Sequence, residues 1–489
     1  MKKIRARVIE YQSFDKEELV RQVKKQKLEN RVEKFYKELE GFAKNENHSS
    51  FLGFKSKERL RVKNYVGLIE TKSGVLEIYP KVVLKNDDSK AENLKNHTRQ
   101  KLQEKLKEAY KFEYSNDTQN LKPSFDKFPT DKFQSTNPKL LLIELLRTLK
   151  NSPFKESKLS SLKSEKMPLF DIFISMFLQE LEMIFKKGFK RNYVSIEENR
   201  TFLKGKLLFA QNLKYNFIHK ERFFTQSDEF ILNNPANRLI KSTLALLKTK
   251  TKNYEPDIKN FLERLECVEF SKNFKKDFLQ CQQTRHYDYY KNLLSWCQLF
   301  LKGKTFTPYQ GEDKAYALLF PMEKLFEDYV AAMFKRSNPA LKIKPQVCCK
   351  NMLIDVNNDK QKLFPLKPDL LIEKNHKKII ADTKWKILNN DEKFGISQSD
   401  LYQVFAYAKF YNAKEVWLIY PFCERTESLK EKMSQKEWVF NEEQETCKQA
   451  ENSQDVNKNP NIHLKVYFAP LPSKIKPFKA KKENNKQKN

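Results

Sequence analysis

The sequence predicts a multidomain α/β protein with a β-containing N-terminal region, a mostly helical middle and a C-terminal mixed sheet flanked by helices. Three observations carry this. Between Leu370 and Tyr420 the apolar runs follow the order strand, strand, helix, strand, and the last three make a βαβ crossover. Between 167 and 302 apolar residues recur at helical spacing in four blocks. Early in the chain, two strand-like runs at 62–70 and 75–79 are separated by a turn marked by Gly74. A chain of 489 residues is long enough for one to three domains with a substantial core.

Taken in order, residues 1–84 form the first unit, with a helical pattern at about 15–44 ahead of the two strands. Residues 85–135 are polar, rich in Lys and Asn, and contain Pro123 and Pro129; they read as a flexible insertion. From Pro138, KLLLIELLRTLK has helical periodicity, and a Ser- and Lys-rich loop follows at 151–166. Helices are predicted at 167–187, 235–249, 256–266 and 286–302, giving a helical unit over 136–311. The α/β unit runs from 312 to 470. It opens with a helix over Pro321–Phe334, whose apolar residues at 322, 325, 326, 329, 330 and 333 make one stripe. Its later helix, Ser399–Tyr411, has Ser399 as a candidate N-cap. Glu415–Tyr420 is a short apolar strand closed by Pro421, the stretch 424–460 is a polar interruption, and Ile462–Phe468 is a last strand joining the sheet. Residues 471–489 are a basic tail, expected to be disordered.

Lys and Arg number 94 against 63 Asp and Glu, a net charge of +31. So basic a chain suits a polyanion, with nucleic acid the first candidate, although the lysines are spread along the sequence rather than gathered into one stripe. The seven cysteines are irregularly spaced with no CxxC pair, which argues against a zinc site and suits a reducing cytoplasm. The adjacent Cys348 and Cys349 read as inert rather than ligating. No signal peptide is visible, and the longest apolar segment, Met167–Phe185, carries Asp171, Glu180 and Glu182, so it reads as a buried helix and not a membrane span. Gly303-Lys304-Thr305 looks like the end of a P-loop, but the position that must be glycine is Gln298. Nucleotide hydrolysis, if the system uses it, must come from another chain.

The chemistry concentrates in Lys367–Lys386, KPDLLIEKNHKKIIADTKWK. Asp369 and Asp382 sit on two apolar runs that flank the polar turn Lys374-Asn375-His376-Lys377, and an antiparallel hairpin brings both to one sheet face. Alternation along a strand puts Asp382 and Lys384 on one side and Ala381, Thr383 and Trp385 on the other. Two carboxylates and a lysine so placed can bind Mg²⁺ and steer a water onto a phosphodiester. On the following helix, Gln403 and Tyr407 lie four apart on one face. Lys374, Lys377 and Lys378 in the turn are candidate phosphate contacts beside the site.

Pro368-Asp369, Asp382-Thr383-Lys384 and Gln403 with Tyr407 resemble the PD-(D/E)xK nuclease pattern, with Asp in place of the commoner Glu at Asp382. LFEDYV (325–330) ahead of them, DLYQVFAYA (400–408) after them, YVGLIETKSGVLEIYPK (65–81), and the segment from EENRTFLKGKL through RFFTQSDEF to NNPANRLIK (197–241) resemble, in order, the blocks of the McrC family. These blocks cover about half of the chain. The resemblance implies a Mg²⁺-dependent endodeoxyribonuclease in which Asp369 and Asp382 hold the metal, with Glu327 contributing directly or through water, Lys384 orients the attacking water or stabilises charge on the phosphate, Gln403 positions that lysine or contacts the backbone, and Tyr407 packs. It also implies a partner, an McrB-like GTP-hydrolysing AAA+ ring that carries the modified-base reader and is engaged by the N-terminal region, with modified double-stranded DNA as substrate. Two other classes are compatible with the residues: a non-catalytic adaptor that activates an AAA+ NTPase, and a nuclease of another defence pathway. The intact Asp369, Asp382 and Lys384 favour a nuclease over the adaptor.

Overall fold

Two small sheets and a helical pair form the N-terminal unit. In the computed structural model, the residues described are 3–81, 137–149, 153–156, 167–283, 289–301, 316–347, 350–355, 361–374, 377–391, 393–423, 426–434, 436, 438–440 and 462–472. The insertion 85–135, the pair Cys348-Cys349, Gly303-Lys304-Thr305 and the tail beyond 472 lie outside them. The unit comprises β1 (Ile4–Ile9), β2 (Ser13–Phe14), α1 (Lys16–Val23), α2 (Val32–Lys44), β3 (Leu52–Ser56), β4 (Arg59–Val62), β5 (Tyr65–Glu70) and β6 (Gly74–Tyr79). Asp15 caps α1 by accepting from Glu18 N at 2.9 Å. Val32, Phe35, Leu39 and Phe42 bury one stripe of α2 against both sheets. Gly74 proves to be the first residue of β6 rather than the turn itself, and a Cβ there would meet the Phe35 ring at 2.8 Å.

The middle contains α3 (Pro138–Thr148), α4 (Leu169–Lys187), β7 (Asn192–Arg200), β8 (Lys206–Leu207), α5 (Phe209–Asn216), β9 (Phe223–Ile231), α6 (Pro235–Lys248), α7 (Glu255–Arg264), α8 (Phe274–Gln283) and α9 (Lys291–Leu301). The predicted helices are present, shifted by a few residues. Two features depart from the sequence reading. A three-stranded sheet, β7-β9-β8, interrupts the helices, and α8 is an additional helix. Asp171 in α4 is buried and accepts from Thr251 Oγ1 at 3.1 Å and Asn253 Nδ2 at 2.6 Å, as a core helix requires. Among the described residues no helix is long and apolar enough to cross a membrane.

The last part holds β10 (Tyr316–Pro321), α10 (Met322–Ser337), β11 (Lys342–Pro345), β12 (Lys350–Ile354), β13 (Lys362–Leu366), β14 (Leu370–Lys374), β15 (Lys377–Thr383), α11 (Gln398–Tyr411), β16 (Glu415–Phe422), α12 (Glu427–Ser434), β17 (Trp438–Val439) and β18 (His463–Pro470). Six strands form a mixed sheet in the order β11-β14-β15-β16-β18-β17. β14 and β15 are the predicted antiparallel hairpin, and β15, β16 and β18 run parallel, with α11 as the crossover. The stretch 424–460, read as an interruption, contributes α12 and the edge strand β17.

β10 falls inside the 312–470 unit of the sequence reading, which places no strand there; it pairs antiparallel with β5 and completes the N-terminal sheet β1-β6-β5-β10. Gly67 makes that pairing possible: its φ is +131°, and a Cβ would stand 2.0 Å from Leu318 O. One continuous apolar core runs from Val66 through the helices of the middle to Ala469. The mixed sheet is buried on both faces. Ile379 and Ala381 of β15 join that core, whereas Ile380 packs with Val404 and Tyr407 of α11.

Candidate active site

The site sits where β14 begins and β15 ends. The hairpin register pairs Leu370 with Ala381, and one further step sets Asp369 opposite Asp382. Asp382 and Lys384 lie on the α11 side of the sheet with Ile380, as strand alternation predicts. Asp382 Oδ2 is 2.7 Å from Lys384 Nζ. Asp369 Oδ2 accepts from Thr383 N at 2.7 Å and Thr383 Oγ1 at 2.6 Å, which fixes that carboxylate. The bond to Lys384 N comes from the neighbouring parallel strand: Ile419 O accepts it at 2.9 Å.

α11 supplies the positioning groups. Ser397, not Ser399, is the N-cap, and the helix begins at Gln398. Gln403 Oε1 accepts from Lys384 Nζ at 2.7 Å, and Gln403 Nε2 donates to Tyr407 OH at 2.9 Å. Tyr407 is buried, so its packing role is observed together with a hold on Gln403. Asp400 was not singled out from the sequence. Its carboxylate lies 3.8 Å from Lys384 Nζ and 2.6 Å from Lys386 Nζ. The signal for it was its place three residues before Gln403, on the same helix face.

Glu327 arrives from α10, on the other side of the sheet. Its Oε1 accepts from Gln346 Nε2 at 2.7 Å, and Gln346 N donates to Asp369 O at 2.9 Å, so Gln346 bridges the two acidic residues. Lys324 Nζ stands 3.1 Å from Glu327 and 3.3 Å from Asp328. Gln346 acts through a tertiary contact that sequence does not show, whereas Lys324 is one helical turn from Glu327 and Asp328, a spacing legible in the sequence.

Electrostatically this is a costly arrangement. Burial, and then the neighbouring Asp369, push Asp382 up to about 7. Burial and Asp369 do the same to Glu327, also to about 7. Burial raises Asp369 despite the hydrogen bonds from Thr383. Burial works against the Lys384 ammonium, but Asp382, Asp400 and Asp369 outweigh it and raise its pKa. Acidic groups raised by burial and by one another beside a held ammonium are a pattern that clusters at functional sites.

Asp369 and Asp382 suit a hard divalent cation in the manner of Mg²⁺, which uses one or two carboxylates and keeps several waters. Among the described residues no group of three or more His, Cys, Asp or Glu side chains is placed to hold a metal ion together, so Glu327 does not stand with Asp369 and Asp382 as a third direct ligand. The lysines of the hairpin turn are farther off than expected. Lys378 pairs with Glu373 and Lys377 with Lys374 at the far end of the strands, four and five residues from Asp382, roughly 13–17 Å at the strand rise.

Comparison with known proteins now bears on this geometry. No curated protein matches the chain. Among solved structures, it is similar to a chain of the half-complex refined from a tetradecameric assembly of Thermococcus gammatolerans McrB AAA+ hexamers with bound McrC, at 15% identity and a TM-score of 0.54, covering 86% of this chain and 88% of that one. It also matches a chain of the cryo-EM structure of the Thermococcus gammatolerans McrBC complex at 16% identity and a TM-score of 0.41, covering 68% and 87%. At these identities the likeness of the first is one of fold. Residues 60–421 match the family model for the McrBC 5-methylcytosine restriction system component. That span is well over half of the chain and includes Glu327, Asp369, Asp382, Lys384 and Gln403, and the chain therefore belongs to this family, as the McrC-like order of its sequence blocks implies.

Proposed function

We propose that this chain is the Mg²⁺-dependent endodeoxyribonuclease subunit of a restriction complex, and that it works with an McrB-like AAA+ GTPase ring whose hydrolysis it stimulates. One observation carries the chemical reading: the buried Asp382 and the half-buried Asp369 stand opposite each other across the hairpin with raised pKa values, next to an ammonium held by Gln403. A fold gains little from that grouping, since burying like charges costs stability. A cation binding there removes the repulsion.

When bound, Mg²⁺ supplies polarisation of the scissile phosphate and a ligated water of lowered pKa. Asp369 and Asp382 would hold it, the first oriented by Thr383, with Glu327 acting through a ligated water. Lys384 keeps its proton at neutral pH and sets a positive charge where negative charge builds on the phosphate. Gln403 fixes the Nζ position and is itself fixed by Tyr407.

The partner reading rests on family membership, on the Thermococcus gammatolerans McrC bound to McrB AAA+ hexamers, and on a surface of this chain. Tyr193, Phe209, Phe217 and Ile218 on and around the β7-β9-β8 sheet are 73–84% exposed. Phe217 and Ile218 are adjacent, and large apolar groups left exposed side by side mark interaction surfaces. The test is reconstitution with the cognate ring on modified plasmid, following DNA cleavage and GTP hydrolysis together. The double variant Asp382→Ala/Lys384→Ala should stimulate GTP hydrolysis like wild type and cut nothing. Cleavage at the wild-type rate by that variant would remove the active-site assignment.

A further inference from the structure

A cleft of about 1270 Å³ opens between the N-terminal unit and the loop joining α6 to α7. Every residue lining it is polar or charged. One wall is the edge strand β1, which presents Lys3, Arg5 and Arg7; the other is the end of α6 and its following loop, with Lys248, Lys250 and Lys252. The spread of lysine along the sequence hides this, because the two rows are some 240 residues apart and are brought together only by the fold. The row on β1 alternates with core residues, whereas Thr249 and Thr251 line the cleft together with the lysines of the other wall. On β1 the spacing is two residues, roughly 6.7 Å, because its intervening residues Ile4, Ala6 and Val8 point into the core.

The local framework holds β1 in place. Gln26 Oε1 accepts from Arg5 N at 3.1 Å and its Nε2 donates to Arg5 O at 2.6 Å, while Gln22 Oε1 accepts from Arg7 N at 2.9 Å. These side chains occupy the backbone groups of an edge strand that would otherwise be open to pairing. The buried Glu70 sits between the rows, in ion pairs with Lys3 and with Lys250 at 3.2 Å. Arg7 lies 3.4 Å from the buried Glu77. Arg5, Lys248 and Lys252 are exposed and form no ion pair among the described residues. Of the two acids on the lining, Asp171 is engaged by Thr251 and Asn253, which leaves Glu255 as the opposing charge.

We propose that this cleft binds the sugar-phosphate backbone of a nucleic acid, at a site separate from the one proposed to cut it. The volume exceeds that of a pocket for one small molecule, and an all-polar lining offers no apolar floor for a base or ring. A strand of cations at two-residue spacing, faced across the cleft by a second cationic segment, suits an extended polyanion that carries a charge on every unit of its backbone. Glu70 pairs with Tyr316 at the start of β10, whereas α10 leaves from its end. The length of β10 thus separates the cleft from the helix that carries Glu327, roughly 17 Å. The proposal stands whether or not the carboxylate site cuts DNA, and it is tested where cutting is suppressed.

The experiment measures binding of fluorescent 30-nucleotide duplex and single-stranded DNA to the full chain, without partner and in EDTA, across a salt series. Arg5→Gln/Lys248→Gln/Lys252→Gln is compared with a control of equal charge loss, Lys57→Gln/Lys187→Gln/Lys335→Gln, both checked for unchanged thermal unfolding. The cleft variant should bind at least about tenfold more weakly near 100 mM salt, and its log–log salt slope on duplex should fall by about 2–3 relative to wild type. The control should change neither by more than about twofold. Loss on only one of the two DNA forms assigns the cleft to that form. Equal losses in both variants, no measurable DNA binding by wild type at low salt, or tighter binding of poly-glutamate than of DNA would each overturn the proposal. Cleavage assays in the reconstituted complex read the carboxylate site independently.

Discussion

Replacing Asp382 by Asn should make the folded chain more stable at pH 8 while removing its nuclease activity. The carboxylate is 2% exposed, and burial with the neighbouring Asp369 raises its pKa from 3.8 to about 7. A displacement of about 3 pKa units corresponds to about 4 kcal/mol of ionisation cost. Against this, Lys384 loses its nearest carboxylate, but it keeps Gln403 at 2.7 Å and Asp400 at 3.8 Å. If that loss costs about 2 kcal/mol, the net gain at pH 8 is about 1–2 kcal/mol. The pH dependence is the sharper signature. Between 3.8 and about 7 the folded chain holds a proton that the unfolded chain has released, so wild-type stability falls as pH rises through that window and levels off above it. Asn has no such proton. The variant's advantage should therefore grow by about 2.6 kcal/mol from pH 5 to pH 8, whatever the Lys384 loss amounts to. Denaturant unfolding in EDTA at several pH values measures it, with Trp385 and Trp417, buried in or beside this sheet, as reporters. Adding Mg²⁺ at pH 8 should stabilise wild type and leave the variant unchanged. If the variant instead becomes relatively less stable as pH rises, Asp382 is a structural partner of Lys384 and the reasoning fails.

Lys384→Ala should slow single-turnover cleavage about a thousandfold, about 4 kcal/mol of barrier, whereas Gln403→Ala should cost only about tenfold because Asp382 and Asp400 still hold the ammonium; equal effects would remove the positioning role of Gln403. Phe217→Asp with Ile218→Asp, at positions 75% and 84% exposed, should leave thermal unfolding unchanged and lower stimulation of the ring's GTP hydrolysis at least about tenfold; full stimulation would place the ring contact elsewhere. Lys377→Glu with Lys378→Glu should slow cleavage about three- to tenfold without touching GTP hydrolysis, since 13–17 Å from Asp382 corresponds to phosphates about four or five positions from the cut; an unchanged rate would exclude the hairpin turn from the DNA path.

The parts of this structure that were legible in sequence are those whose signal is local. The hairpin, the crossover helix and the Asp382–Lys384 pair follow from period-two and period-3.6 patterns within about fifty residues, and the structure places them as read. What was missed depends on distance along the chain or on weak patterning. β7 has no buried residue on either face, so Asn192–Arg200 shows no clean alternation and reads as a connection between helices, although its partner β9 buries Thr225 and Ser227. β10 pairs with β5 across about 250 residues, and nothing in Tyr316–Pro321 says which edge it will join. The basic cleft is invisible for the same reason. Gln346 belongs to the site only through the tertiary fold, whereas Asp400 shares a helix face with Gln403, one turn away.

Trp385 shows why the N-terminal unit is part of the site's construction. It follows Lys384 directly and points to the opposite face of the sheet. Its ring packs on Phe326 at 5.1 Å, the residue before Glu327. Its Nε1 donates to Glu10 Oε1 at 2.5 Å, and its carbonyl accepts from Lys81 Nζ at 2.9 Å. Glu10 is buried at the end of β1, and its Oε1 also accepts from Lys81 N at 3.0 Å. One side chain therefore touches the strand that carries Asp382, the helix that carries Glu327 and the sheet at the other end of the chain. Carboxylates that repel one another stay together only when the surrounding shell fixes them. Here that shell includes residues 10 and 81. A fragment beginning at residue 312 would hold β10 without β5 and Trp385 without its acceptor, and would leave the site unsupported. Loss of function in such a fragment says nothing about where a ring binds; that question belongs to surface substitutions in the whole chain.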